Sequence, residues 1–439
     1  MADSERSWSD RLNAAAHTIS RPDADARAGG LLKYLGYDDG ETLAAPTRAR
    51  MLRAAATFRR LFRLPAPDAP GLVFFGAEAD PARLGSLNAG LPVGGFSGSG
   101  LDPRRAFESC VGEGIEYLSQ FAHPEDPLAT GPIAAYAASL DPASHGYAKA
   151  ALAAAGITAD WPIAWMPVHR ITDGAASWFP ADLCLRRAAS DFVPPLKLST
   201  GCAAGVTPGA ATLHAMLELI ERDAVALWWR GGRRGRSIPA HSEAGQAAAG
   251  LLAQLRRGQH NRQTVLFDIT TDLGVPVAAA FSTSPDGHGF ALGLGARPTL
   301  ADAVGSAIFE LCQSELSLHV IAAKRRESGD SALNDSDQRQ LARAALNPRA
   351  CLLLQPDEAA SAAASLAGDP ISAIVQSLAT HGIVAYSLDL TRPRFSVPVV
   401  RVLAPGLQSD PGEIVSDRLA RTIAATGGGA RHHGGIALL

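Results

Sequence analysis

The stretch Leu213-His-Ala-Met-Leu-Glu218-Leu-Ile-Glu221-Arg222-Asp-Ala-Val-Ala-Leu227 sets two glutamates three residues apart inside an otherwise apolar run. Positions i and i+3 share a helix face, so both carboxylates project in one direction. Hydrophobic residues on both sides of the pair describe a largely buried helix with a narrow polar seam, not a broadly solvated face. A single pair of this kind is usually a pair of surface glutamates. Here the pattern occurs in triplicate.

Gly98-Ser-Gly100-Leu-Asp-Pro103 leads through Ala106 to Glu113 and Glu116; Gly205-Val-Thr-Pro208 leads through Ala211 to Glu218 and Glu221; Gly295-Ala-Arg-Pro298 leads through Ala303 to Glu310 and Gln313. In each copy the alanine precedes the first glutamate by seven residues and the second acid or amide follows three later, with two extra residues after the proline of the third copy. Self-similarity of this kind reports a duplicated unit. A glycine turn with proline at the helix start predicts a loop feeding a helix in all three. Carboxylates gathered in one cleft repel, and each desolvated charge costs several kcal/mol unless compensated, so convergence calls for cations. Mg²⁺ with a nucleotide fits, because this ion takes oxygen ligands and shares them with phosphate. Zinc does not fit scattered cysteines and a lone His432-His433 pair in a Gly-rich tail. No G-x-x-x-x-G-K-[ST] is present, so a P-loop is excluded. Arg222 is either a phosphate ligand, through bidentate guanidinium geometry, or an ion-pair partner of Glu218 or Asp223.

The 439 residues, 47% hydrophobic, are enough for a large core. With 40 basic and 43 acidic residues and a formal charge of −3, the chain has no global field for nucleic acid or a membrane. Five scattered cysteines without C-x-x-C, no secretory signal and no long apolar run predict a reduced, cytoplasmic protein. Residues 1–70 read as an accessory helical region, with an Arg-rich helix near 48–63 that either docks a partner or is a solvated face; 71–415 as the main domain; 416–439 as a C-terminal tail. Strand-like runs at Leu72–Phe75, Ile163–Val168, Thr264–Phe267, Val277–Phe281, Phe290–Leu294, Ile383–Leu388 and Val399–Leu403 alternate irregularly with helical patterns, and segments 240–262 and 326–380 read as peripheral helices and connections. That mixture predicts an α+β fold. A fainter duplication, Phe267-Asp268-Ile-Thr270 to Val275-Pro276-Val277 and Leu388-Asp389-Leu-Thr391 to Val397-Pro398-Val399, reads as scaffold, since Asp and Thr close turns on nearby backbone.

Ser199-Thr-Gly-Cys-Ala-Ala-Gly205 followed by the Leu213–Ala224 stretch resembles the S-N-G-x-A-A-G…L-E-x-x-E-R-D pattern of YcaO proteins. Ser109-Cys-Val-Gly-Glu113-Gly-Ile-Glu116 is similar to the family's first S-x-x-x-E-x-x-E-R helix, Glu310-Leu-Cys-Gln313 to its E-x-x-Q helix, and Val397-Pro-Val-Val-Arg401-Val-Leu-Ala-Pro405-Gly-Leu407 to its late P-V-V-x-x-x-x-P-G-L segment. The resemblance spans about residues 71 to 415. It implies a YcaO-like fold of mixed sheets packed with helices, with three related acidic helices converging on a nucleotide cleft. It implies Mg²⁺ held by Glu113, Glu116, Glu218, Glu221 and Glu310, nucleotide contacts from Ser109, Arg222 and Gln313, and Glu218, Glu221 and Arg222 as the catalytic core. The implied activity is Mg·ATP-dependent O-phosphorylation of a peptide backbone amide for thioamide or azoline formation, as in the biosynthesis of modified ribosomal peptides. A catalytically weak peptide-binding scaffold is the alternative. Implied partners are a peptide or protein substrate and a TfuA-like or leader-binding protein, with a homo-oligomer left open. Three departures stand out: Ser99 replaces the lysine of a frequent Gly-Lys-Gly, Tyr117 replaces the arginine after Glu116, and the ending Gly434–Leu439 lacks the P-x-P-x-P of azoline-forming members.

Overall fold

A computed structural model describes residues 2–20, 26–37, 45–88, 90–136, 139–361 and 365–439. In chain order the elements are α1 (Ala2–Ser20), α2 (Ala26–Tyr34), α3 (Ala45–Ala55), β1 (Arg60–Arg63), β2 (Val73–Ala79), β3 (Gly94–Gly100), α4 (Pro103–Ser119), β4 (Ala129–Gly131), α5 (Ile133–Tyr136), α6 (Pro142–Ala154), β5 (Ile163–Arg170), β6 (Ala176–Pro180), β7 (Cys202–Ala204) and α7 (Pro208–Trp229). They continue with β8 (Arg236–Ser237), α8 (Glu243–Arg256), β9 (Gln263–Asp268), β10 (Val277–Thr283), β11 (Ala291–Ala296), α9 (Leu300–Ser328), α10 (Asp335–Ala344), β12 (Asp357–Ala360), α11 (Pro370–Thr380), β13 (Tyr386–Asp389), β14 (Val399–Leu403), α12 (Asp417–Thr426) and α13 (Ala430–His433). The fold is α+β, and every strand-like run expected from the sequence contains a strand. Among the described residues, no helix is long and apolar enough to cross a membrane.

The chain divides into two compact units. One comprises Met1–Pro65, Val73–Ala215 and Ala385–Leu403; the other comprises Ala66–Leu72, Met216–Val384 and Ala404–Leu439. The first unit holds a sheet of order β1-β2-β3 and another of order β4-β5-β13-β14-β7, with β6 pairing β5. The second holds a five-stranded sheet of order β11-β10-β9-β8-β12.

One module recurs in these sheets. Each acidic helix follows the edge strand of three antiparallel neighbours: β1-β2-β3 into α4, β9-β10-β11 into α9, and β13-β14-β7 into α7. The last set draws its strands from distant parts of the sequence. Asp102, Thr207 and Thr299 each accept a hydrogen bond from the amide three residues on, at Arg105, Ala210 and Asp302 (2.9, 3.1 and 3.1 Å), and so cap the three helices. Each cap lies four residues before Ala106, Ala211 or Ala303. Pro103 and Pro208 open their helices, whereas Pro298 precedes the Thr299 cap. The two extra residues of the third copy therefore shift only the proline. Counted from the caps, the three helices are in register.

Glycine acts differently from the expected turn. Gly98 and Gly100 lie within β3, and Gly293 and Gly295 within β11. A Cβ on Gly98 would sit 2.1 Å from the Cys110 nitrogen; on Gly293, 2.1 Å from the Leu311 nitrogen; on Gly295, 2.3 Å from the Ala303 oxygen; on Gly205, 2.4 Å from the Ala211 nitrogen. Helix backbone thus packs on strand backbone, which only glycine permits. The inward faces of the helices complete the cores: Phe107, Cys110, Val111 and Ile115 of α4 in the first unit, and Ile308 and Leu311 of α9 in the second, are wholly buried.

The fainter duplication is scaffold. Asp268 accepts from the Thr270 amide (2.9 Å) and Thr270 Oγ1 from the Val277 amide (3.0 Å); Asp389 and Thr391 make the same bonds with Thr391 and Val399 (2.8 and 3.1 Å). Both link the first two strands of a module.

The N-terminal region needs correction. The Arg-rich helix expected over 48–63 ends at Ala55, and Arg60–Arg63 forms β1, because the alternation Arg60-Leu-Phe-Arg63 pairs with β2 and tertiary pairing overrides helical pattern. Parts of the helical pattern expected across 2–70 (residues 21–25 and 38–44), and residues 362–364 of the segment 326–380, lie outside the described residues. Residues 416–439 contain α12 and α13, packed within the second unit. Arg418 forks onto Asp223 (Nη2 to Oδ2 3.0 Å) and onto Asp272, Trp229 Nε1 donates to the Ile436 carbonyl (2.7 Å), and His433 stacks on Trp229 at 4.4 Å.

The backbone contact at Gly98 predicts that Gly98→Ala lowers stability by about 1–3 kcal/mol through overpacking. Gly112→Ala, where a Cβ meets nothing within 4 Å, should be neutral or gain about 0.5–1 kcal/mol of helix propensity. Urea denaturation of both variants checks the pair; equal effects would contradict the packing account.

Candidate nucleotide and metal site

In the second unit α7 supplies Glu218, Glu221 and Arg222, and α9 supplies Glu310 and Gln313. Arg222 Nη2 donates to Glu218 Oε1 at 3.3 Å, and its Nη1 lies 3.7 Å from Glu221 Oε1. Glu221 Oε2 accepts from the Ala296 amide (3.1 Å) and Glu310 Oε2 from the Leu294 amide (2.9 Å). Leu294 and Ala296 are alternate residues of the edge strand β11, so the two carboxylates occupy successive positions along its open side. Edge amides that would otherwise lack strand partners thereby orient both acids.

The charges are not balanced. Burial pushes the Glu221 carboxyl up from 4.5 to about 7; Arg222 and Arg297 oppose the rise, and Glu310 and Glu218 add to it. Glu310 is also raised, first by burial, with Glu218 adding and Arg222, the Leu294 amide and Arg297 opposing. Burial disfavours the Arg222 cation, but Glu221, Glu218 and Glu310 outweigh that effect and hold it charged. Three carboxylates meet chiefly one guanidinium, with Arg297 adding its field. Their donor set is all oxygen, which fits Mg²⁺. No three His, Cys, Asp or Glu side chains among the described residues already stand in metal-ligand geometry; the acids instead share Arg222.

Ser109, Glu113 and Glu116 stand on α4 in the first unit. Glu113 Oε2 accepts from the Ser97 amide of edge strand β3 at 3.0 Å, the same contact that Glu310 makes to Leu294, with the partners sixteen positions apart in both cases. Gln313 is half-buried one turn beyond Glu310. Asp223 does not pair with Arg222: Arg418 and the Gln408 amide (2.9 Å) take it. Of the departures, Tyr117 donates its hydroxyl to the Pro92 carbonyl (3.1 Å) and Ser99 is buried in β3. All five cysteines are buried, and burial raises the thiol pKa of Cys184 and of Cys312 to about 12, so small core residues is their role. Arg297 was not singled out in the sequence, since its role depends on where β11 ends beside α7.

Residues 97–408 match the family described as YcaO cyclodehydratase, ATP- and Mg²⁺-binding. The chain belongs to the YcaO family. It is an ATP-dependent enzyme, and its cofactors are ATP and Mg²⁺. Over 336 residues this YcaO chain is 27% identical to an uncharacterized protein in the tfuA 3′ region of Rhizobium leguminosarum bv. trifolii, covering 72% of this chain and 77% of that one. It shares its fold with a heterocyclase in complex with substrate and cofactor (TM-score 0.63, 21% identity, 87% of this chain and 52% of the heterocyclase). It shares it also with the YcaO of Methanopyrus kandleri bound with AMPPCP and Mg²⁺ (TM-score 0.57, 19% identity, 84% and 93%). The chain thus spans about half the length of that heterocyclase.

The shift at Glu221 has a signed consequence. With its carboxyl near 4.5 when unfolded and raised to about 7 when folded, Glu221 takes stability from the unliganded protein as pH rises from 4.5 through 7, and its own contribution changes no further above. Glu221→Gln should flatten that part of the profile, read as urea midpoints between pH 5 and 8; an unchanged slope would contradict the burial assignment.

Proposed function

We propose that the chain activates a peptide backbone amide by phosphorylating its oxygen, with residues 71–415 as the catalytic domain. The observation that carries this reading is the buried cluster of Glu218, Glu221 and Glu310 around Arg222, an oxygen-only set short of positive charge. These acids, with Glu113 and Glu116 on α4, would hold Mg²⁺, and Ser109, Arg222 and Gln313 would contact the nucleotide. Bound Mg·ATP supplies the phosphoryl group and neutralises the charge that develops during its transfer. Glu221 and Glu310 would fix the metal by gripping the β11 amides with one oxygen and offering the other. Arg222 would exchange a carboxylate for a phosphate oxygen, a change that its planar fork suits.

On the substrate, a nucleophile adds to the amide carbon, the resulting oxyanion takes the phosphoryl group with release of ADP, and phosphate then departs. With hydrosulfide as nucleophile the product is a thioamide; with a neighbouring Cys, Ser or Thr side chain it is an azoline. The tfuA-region relative favours sulfur and a TfuA-like partner that delivers it. The likeness to heterocyclases favours the azoline reading.

Glu218→Gln and Glu310→Gln should each lower ATP turnover roughly 10²–10³-fold, the effect of removing one charge-stabilising group. Unchanged turnover rejects the site. Mass spectrometry of the modified peptide then separates oxygen-to-sulfur exchange from loss of water. Tight peptide binding with no turnover in the parent protein would support the scaffold reading instead.

A further inference from the structure

The three copies of the acidic helix differ at the residue after their second acid or amide: Arg222 in α7, Tyr117 in α4 and Ser314 in α9. In α7 that arginine is the cation that the carboxylates share. The α4 seam carries two glutamates, Glu113 and Glu116, and no arginine follows them. A guanidinium nevertheless rests on the side chain that stands there. The Cζ of Arg186 sits 5.7 Å from the centroid of the Tyr117 ring.

Arg186 is fixed there from both ends. Its amide donates to the Gln120 carbonyl (2.7 Å), its carbonyl accepts from the Ala122 amide (3.0 Å), and it bridges Phe121 in parallel fashion. Its Nε donates to Gln120 Oε1 at 2.9 Å, so Gln120, at the C-cap of α4, holds both its backbone and its side chain. Its half-buried head therefore presents the two Nη groups with little freedom to reorient.

No carboxylate among the described residues pairs with Arg186. Burial lowers its pKa, Tyr117 and Cys202 oppose that, and the Arg401 cation adds to it. Arg401 is itself wholly buried; it donates to the Thr200 carbonyl (3.4 Å) and the Leu198 carbonyl, and its Nε has no partner. Two arginines thus raise the potential of one region with carbonyl oxygens, an amide and an aromatic ring as their neighbours. Such a region favours an anion.

We propose that Arg186 does for α4 what Arg222 does for α7, binding a phosphate oxygen of Mg·ATP through its Nη groups. The role has moved from the helix to the loop after Ala181–Leu183, with Tyr117 as the platform on which the guanidinium rests. This inference rests on the nucleotide reading above and deepens it by naming a residue in the polyphosphate site.

The test is calorimetric titration of the full chain with Mg·AMPPCP and, separately, with AMP. Arg186→Gln, which keeps an amide to bond Gln120, should weaken AMPPCP binding roughly 10- to 100-fold, the worth of a charge-assisted hydrogen bond. AMP binding should be unchanged. Arg186→Lys should fall between the two, and adding Tyr117→Arg to Arg186→Gln should recover part of the loss. Equal AMPPCP affinity in Arg186→Gln and the parent overturns the inference, as does equal weakening for AMPPCP and AMP, which marks a structural role. A parent protein that binds no Mg·AMPPCP overturns the nucleotide reading as well.

Discussion

The structure depends on a backbone-to-backbone contact. Where an acidic helix crosses the edge strand of its three-stranded module, glycine removes the side chain that would hold the two apart. The helix then lies close enough for a glutamate to reach a strand amide. Gly98 under Cys110 and Gly293 under Leu311 make this contact in the two units, and Glu113 and Glu310 each take an edge amide sixteen residues back in the chain. One geometric device thus protects a sheet edge and aims a carboxylate.

That device concentrates negative charge. In α7 and α9 it holds Glu218, Glu221 and Glu310 around Arg222, and burial raises the carboxyls of Glu221 and Glu310. Folding therefore retains an arrangement that costs stability, and a divalent cation with phosphate is the kind of ligand that relieves it. Within the second unit the Asp-Thr turn at Asp268 pins the first two strands of its module, and Arg418 bolts α12 to Asp223, the residue after Arg222. Local strain at functional positions is sustained by such neighbours.

Much of this was legible in the sequence because periodicity records helix faces. The alanine-to-glutamate spacing located all three acidic helices and put each pair of oxygen-bearing side chains on one face. The Asp-Thr duplication read correctly as scaffold. The glycines were misread, since a glycine that permits close approach inside a strand looks in sequence like one that makes a turn; β3, Gly94–Gly100, was hidden for that reason. The strand Arg60–Arg63 was absorbed into a helical pattern because its partner β2 is what makes it extended. Arg186 could not be found by spacing, because it reaches its place from a loop outside the repeat, and Arg297, though inside the third copy, stands where the other two copies have Asp102 and Thr207.

The most direct measurement is anomalous diffraction from crystals grown with Mn²⁺ and AMPPCP. The account predicts metal peaks bonded at about 2.1 Å by carboxylate oxygens of Glu218, Glu221 or Glu310, with analogue phosphate oxygens completing the shell. Metal and analogue bound away from these side chains, with the three glutamates still closed on Arg222, would contradict it.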